Sequence, residues 1–204
     1  MNMGTKEVLS WLENFKNASE NIVIVAPSFL HLPLLKTCAQ GKNIKLAAQD
    51  VAQEERGAHT GRVAAFQLKD MCEYCVVGHS EIGDLVEVVI KKRDLCLKNG
   101  ITPIVCFVSP SDAKKVYKES TIIAWEDPSN ISQGGLYKDT DPKEIEKVIN
   151  DIKANLPKNS ILLYGGSVNE QNAKELAKIR NLDGVLVGNA SLDTSTFTKI
   201  VESF

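Results

Sequence analysis

Apolar runs of strand length recur along the whole chain, at Ile22–Phe29, Ile44–Val51, Tyr74–Ser80, Thr102–Val108, Thr121–Asp127, Ser160–Gly166 and Gly184–Ala190. Most are continuously apolar rather than alternating, the pattern of strands covered on both faces. Between them, apolar residues fall at helical spacing over about residues 31–40, 62–70, 82–99, 111–118, 141–155 and 169–179, with a last helix over about 193–203. Ser111-Asp112, Thr140-Asp141-Pro142 and Asp193-Thr194 read as helix starts, and Gly41 and Gly100 follow helix ends. Such regular strand–helix repetition predicts one parallel α/β domain over residues 1–204, either a closed barrel or an open doubly wound sheet. No Gly-x-Gly-x-x-Gly follows the first apolar run, which favours the barrel. The chain opens on a helix, because Val8, Leu12 and Phe15 share one face of residues 5–17. The expectation is therefore a (β/α) barrel with seven strands and eight helices, incomplete for want of a first strand.

Composition narrows the partners. A formal net charge of -2 gives no general attraction to nucleic acid or to an anionic membrane. No apolar run approaches the roughly 20 residues needed to span a bilayer. The N-terminus has no signal-peptide pattern, so the expected location is cytoplasmic. The five cysteines are odd in number, and reduced thiols are the expectation. Cys72-x-x-Cys75 lacks a second pair, and the three histidines are scattered at positions 31, 59 and 79, so no metal site is predicted.

Candidate chemistry gathers at the carboxyl ends of the predicted strands, where β/α barrels place their catalytic groups. Gly78-His79-Ser80-Glu81 closes one strand, and Glu126 closes another in Ala124-Trp125-Glu126-Asp127-Pro128. Taken alone, a histidine there is more often a hydrogen-bonded strand end, and a lone glutamate a solvated loop residue. Together they suggest proton transfer on a small substrate, and the apolar neighbours Ile123 and Trp125 predict a partly desolvated Glu126. Gly165-Gly166-Ser167 and Gly188-Asn189 follow the last two strands. Glycine there lets backbone N–H groups approach an anion closely, and a short helix start adds a favourable dipole, so phosphate is the predicted ligand.

In order along the chain, Ala26-Pro27-Ser28-Phe29, Ala48-Gln49-Asp50-Val51, Gly57-Ala58-His59-Thr60-Gly61, Gly78–Glu81, Thr102–Cys106, Leu163–Val168 and Asp183–Leu192 resemble the triosephosphate isomerase family. The resemblance implies isomerisation of dihydroxyacetone phosphate and glyceraldehyde 3-phosphate through an enediolate, a glycolytic and gluconeogenic step, with no cofactor. It implies Glu126 as the base and His79 as the electrophile, supported by Ser80 and Glu81. It implies phosphate contacts from Gly134, Ser167, Gly188 and Asn189, and a 57–61 loop, with Thr60, that reaches a partner subunit in a homodimer or larger homo-oligomer.

The departures from the family pattern are specific. The resemblance places the family's first strand, with its substrate-contacting asparagine and lysine, before residue 1. Lys6 sits too far along the first helix to take the lysine's role. One well-placed cation at a developing charge is worth roughly 10²–10³ in rate. Ile82-Gly83 stands where the family has arginines, Asn189 where it has a second glycine, and residues 127–135 lack the tryptophan of its lid. Two readings stay open on these residues: an isomerase, or a phosphate-binding homologue with little or no activity. Another phosphosugar enzyme on the same barrel is disfavoured by the pairing of Gly78–Glu81 with Glu126. For the barrel itself, three outcomes follow from an absent strand: a slit, closure by rearranged strands, or an oligomer covering the gap.

Overall fold

The apolar runs become strands because both of their faces have something to pack against. In the computed structural model, which describes residues 2–128, 130 and 141–204, the strands are β1 (Ile24–Val25), β2 (Lys45–Ala48), β3 (Tyr74–Val77), β4 (Thr102–Phe107), β5 (Ile122–Trp125), β6 (Ile161–Tyr164) and β7 (Gly184–Val185). They form one parallel sheet in chain order. The helices are α1 (Thr5–Asn14), α2 (Leu32–Cys38), α3 (Ala65–Leu68), α4 (Val86–Lys98), α5 (Ala113–Val116), α6 (Pro142–Ala154), α7 (Ala173–Leu176) and α8 (Thr194–Val201). Among the described residues this is an incomplete β/α barrel with seven strands and eight α-helices, as expected.

Alternation along each strand separates two apolar layers. Val76, Ile104, Cys106 and Ala124 form a small inner cluster, joined by the half-buried Ile24, Ala26, Leu163 and Leu186. Cys75, Val77, Val105, Phe107, Ile123, Trp125, Leu162 and Tyr164 point the other way, into the larger core shared with the helices. The register aligns Phe107 with Trp125 and Trp125 with Tyr164, so β4 to β6 end level with one another, while β3 ends at Val77 opposite Val105, two residues earlier.

Among the described residues β1 pairs only with β2, and β7 only with β6. Within the chain the strands keep their order and do not rearrange to close the barrel, so a slit separates β1 from β7 among the described residues. Its flanking strands are the shortest, and Ile24, Ala26, Val185 and Leu186 remain half-buried where the central strands are sealed. The helices on either side of the slit are fastened directly. Trp11 stacks on Phe15 at 4.8 Å between ring centres, and Phe197 of α8 lies 5.2 Å from Phe15 and 5.9 Å from Trp11. The Trp11 indole N–H donates to the Ser191 carbonyl at 2.8 Å, and Asn21 donates to the Val201 carbonyl at 2.9 Å.

Local chemistry trims the predicted helices. Asp141 and Asp193 cap α6 and α8, accepting from the amides of Lys143 and Thr196. Asp112 stands at the N-cap position of α5, at the end of a 3₁₀ turn over Pro110–Asp112, but its carboxylate makes no capping hydrogen bond and pairs with Lys115 at 2.7 Å instead. The stretch predicted as a helix over 169–179 yields only Ala173–Leu176. Asn169 accepts from the amides of Gln171 and Asn172, and such a side-chain turn competes with helical hydrogen bonding.

Phe197→Ala is expected to destabilise the fold by about 3–5 kcal/mol, read from the midpoint of urea unfolding, because it empties the contact between α1 and α8. The exposed Asp193 has its carboxyl held at about 2, chiefly by the Ser195 hydroxyl and then by the Thr196 amide. A depressed carboxyl stabilises the fold above its ordinary range and ceases to do so as it is protonated. The protection factors of the first-turn amides of α8, which compare their exchange with that of the unfolded chain at the same pH, are therefore expected to be constant from pH 7 down to about 4 and to fall as the pH drops towards 2.

Candidate active site

The inward layer continues past the strand ends. Two residues beyond inward-facing Ala124 comes Glu126, so strand alternation turns its side chain into the top of the barrel. Ser80 reaches the same place by way of the loop after β3. The Glu126 amide still donates to the Phe107 carbonyl at 2.9 Å, so the ladder between β4 and β5 holds this residue in place.

Glu126 is only 3% exposed. Its carboxylate accepts from the Ser80 amide, at 3.0 Å to Oε1 and 3.3 Å to Oε2, and Oε2 also accepts from the Ser80 hydroxyl. The Nε2 of His79 lies 3.7 Å from Glu126 Oε2. The Glu81 amide donates to His79 Nδ1 at 3.4 Å, so in the neutral ring the proton sits on Nε2, the nitrogen that faces Glu126. The Glu81 carboxylate itself is exposed, with Oε2 4.0 Å from His79 Nδ1. Beneath the carboxylate, the Cys106 thiol is pushed well above its ordinary range, by burial first and then by the charge of Glu126.

The loop carrying these groups starts at Gly78, whose φ of +74° is the left-handed region. A β-carbon there would lie 2.8 Å from both Val89 methyls and 3.0 Å from the Cys106 carbonyl oxygen. Glycine is required for conformation and for space.

On the far side of Glu126, Gly165 donates to the Trp125 carbonyl at 2.8 Å. A β-carbon on Gly166 would collide with the Tyr164 phenol, so this turn admits only glycine. Ser167 is buried and its hydroxyl has no partner among the described residues. Nor do the backbone N–H groups of Gly166, Ser167 and Gly188 donate to any described residue. Gly188 and Asn189 are exposed at the start of a 3₁₀ turn, Asn189–Ser191. Thr60 is exposed in the loop between β2 and α3. Lys6 is exposed on α1, and Gly134 lies outside the described residues.

A second cluster was not anticipated. Lys92 of α4 is 2% exposed, and its ammonium donates to Asp50 at 2.8 and 3.0 Å and to Asp84 at 2.6 Å. The available signal was a lysine amid the apolar positions Val89, Leu95 and Cys96 of one helix.

A shielded carboxylate facing an imidazole, at the carboxyl ends of parallel strands and beside unengaged amides, makes this a β/α-barrel enzyme of the acid–base kind. Comparison with known proteins is specific. The family model for triosephosphate isomerase matches residues 1–204. The chain is 33% identical over 237 residues to the triosephosphate isomerase of Aquifex aeolicus, covering 100% of this chain and 96% of that protein. It is 33% identical over 231 residues to that of Dehalococcoides mccartyi strain 195, covering 98% and 92%. With that of Thermoanaerobacter sp. it shares 36% over 217 residues, covering 91% and 87%. The chain belongs to the triosephosphate isomerase family.

Gly78→Ala is expected to cost about 2 kcal/mol or more, because left-handed strain and the Val89 collision act together. Urea unfolding checks this, with Gly83→Ala as the comparison. Gly83 shares the positive φ, but a β-carbon there meets open space, so its cost should be the smaller.

Proposed function

We propose that the chain interconverts dihydroxyacetone phosphate and glyceraldehyde 3-phosphate, as a single domain over residues 1–204. The observation that carries this reading is the Glu126 carboxylate, 3% exposed on Ser80 with His79 Nε2 3.7 Å away. Family membership supplies the substrate class.

In this reading Glu126 removes the proton on the carbon next to the carbonyl, and the electron pair moves to the carbonyl oxygen. The N–H on Nε2 of His79 donates to that developing oxyanion, and preorganised donors of this kind act most strongly where water is excluded. The proton of the adjacent hydroxyl then shifts to this oxygen by way of His79 Nε2, and as the second oxygen becomes the carbonyl Glu126 returns its proton to the neighbouring carbon, which completes the isomerisation with no net change in protonation. Ser80 holds the carboxylate until substrate displaces it, and the Glu81 amide keeps the imidazole in the donating tautomer. The phosphate is gripped by the Ser167 hydroxyl and by the amides around Ser167, Gly188 and Asn189, with Gly134 assigned the same role. Unpaired donors at the ends of β6 and β7 support this placement. No cofactor is required.

Among the described residues no helix is long and apolar enough to cross a membrane. We place the enzyme in the cytoplasm as a homodimer or larger homo-oligomer, with the exposed Thr60 loop as the subunit contact.

A coupled isomerase assay tests the reading. The 204-residue chain is expected to turn over triose phosphate, and Glu126→Gln to lower kcat by about 10²–10⁴-fold. An N-terminal extension by a strand ending Asn-Trp-Lys is expected to raise turnover by roughly 10²–10³, through the added cation. Absence of turnover in both forms, with a phosphate analogue bound as well as by Glu126→Gln, would overturn the enzyme reading.

A further inference from the structure

The loop from Gly78 to Leu85 carries His79 and Ser80 but has few fastenings of its own. Glu81, Ile82, Gly83 and Leu85 are all exposed, and Gly83 adds a second left-handed turn at φ +73°. Within the loop the Ile82 amide donates to the His79 carbonyl at 2.9 Å, which ties neighbouring residues to each other and not to the barrel. Beyond Ser80, the side chain that anchors the loop in the fold is Asp84, whose carboxylate is 16% exposed and accepts from Lys92 at 2.6 Å.

Lys92 is held from a second side by Asp50, which lies two residues past the end of β2. Three elements thus meet on one buried ammonium: the loop after β2, the loop after β3, and α4. Burial by itself would depress the Lys92 ammonium, but its hydrogen bonds to Asp50 and Asp84 outweigh that and hold the group above its ordinary range. The charge therefore persists, and its attraction for both carboxylates acts where water screens little. A cavity of about 250 Å³, lined by Lys92, Asp84, Val88, Arg62 and Thr60 among others, adjoins the cluster, so the loop has no dense packing there to replace the ionic tie.

We propose that Lys92 is a positioning residue for the active site: through Asp84 it fixes the far end of the loop that presents His79 and Ser80 to Glu126, and through Asp50 it ties that loop to the end of β2. This rests on the proton-transfer reading of Glu126 and His79. Gly78, packed on Val89, holds the loop's near end, and the Asp84–Lys92 contact holds its far end. Ser80 lies between the two.

Replacing Lys92 would leave two carboxylates facing each other out of water, which risks unfolding. Asp84→Ala is the cleaner variant, because Lys92 keeps its pairing with Asp50. Asp84→Asn is the conservative partner, since its carbonyl still accepts from Lys92. Both are made in the full chain. Two properties are then measured: hydrogen exchange at the Ser80 amide against the Leu162 amide of β6, and kcat and KM for triose phosphate.

In Asp84→Ala, Ser80 protection is expected to fall by about tenfold or more relative to Leu162. Turnover is expected to fall by about 10–100-fold with KM within about twofold, as for displaced catalytic groups. Asp84→Asn is expected to recover most of both. Equal loss of protection at Ser80 and Leu162 with no recovery in Asp84→Asn, or unchanged Ser80 exchange and kcat, overturns the assignment. If the parent chain shows no turnover, the isomerase reading fails instead, and Ser80 exchange alone still decides the role of Lys92.

Discussion

A carboxylate that is 97% withdrawn from water needs hydrogen bonds, and Ser80 supplies them to Glu126 from both its amide and its hydroxyl. That contact links the end of β3 to the end of β5 across β4. It sets where the loop after β3 lies, and so where His79 stands. The glycine at position 78, the thiol at 106 and the tie from Lys92 to Asp84 all converge on the same small volume. Without the Ser80 contact Glu126 would stay buried but lose the hydrogen bonds that offset its burial.

The rest of the barrel serves this geometry unevenly. β3 to β6 are in full register and carry Glu126, Ser80 and the Gly165–Ser167 turn from the best-buried part of the sheet. β1 and β7 border a slit, and their paired segments contract to two residues each. The aromatic contact of Trp11 and Phe15 with Phe197 joins the helices on both sides of that slit, so the outer layer is continuous where the sheet is not. Chemistry sits on the rigid strands, and the open edge lies towards the Gly188 end of the site.

Much of this was legible in the residues. Continuous apolar runs identified all seven strands because a strand covered on both faces leaves no room for alternation. Two glycine turns after the last two strands pointed to an anion, and the structure finds unengaged donors there. Strand and helix lengths were less legible. The run over 22–29 reads as a full strand but pairs only at Ile24–Val25, since pairing depends on a neighbour the run itself does not encode. The 169–179 helix shrinks because Asn169 and Asn172 exchange side-chain hydrogen bonds with each other's backbone. Lys92 was missed because its burial depends on Asp50 and Asp84, 42 and 8 residues away in sequence. A lysine in a helix otherwise reads as solvated.

The central claim is that Glu126 transfers a proton to and from carbon. Incubating dihydroxyacetone phosphate with the chain in D₂O and following the carbon-bound hydrogens by NMR tests it most directly. A carboxylate that takes the proton and exchanges it with solvent should place deuterium on the carbon next to the carbonyl, at a rate that collapses in Glu126→Gln. Isomerisation and labelling that proceed equally fast in Glu126→Gln would contradict the account.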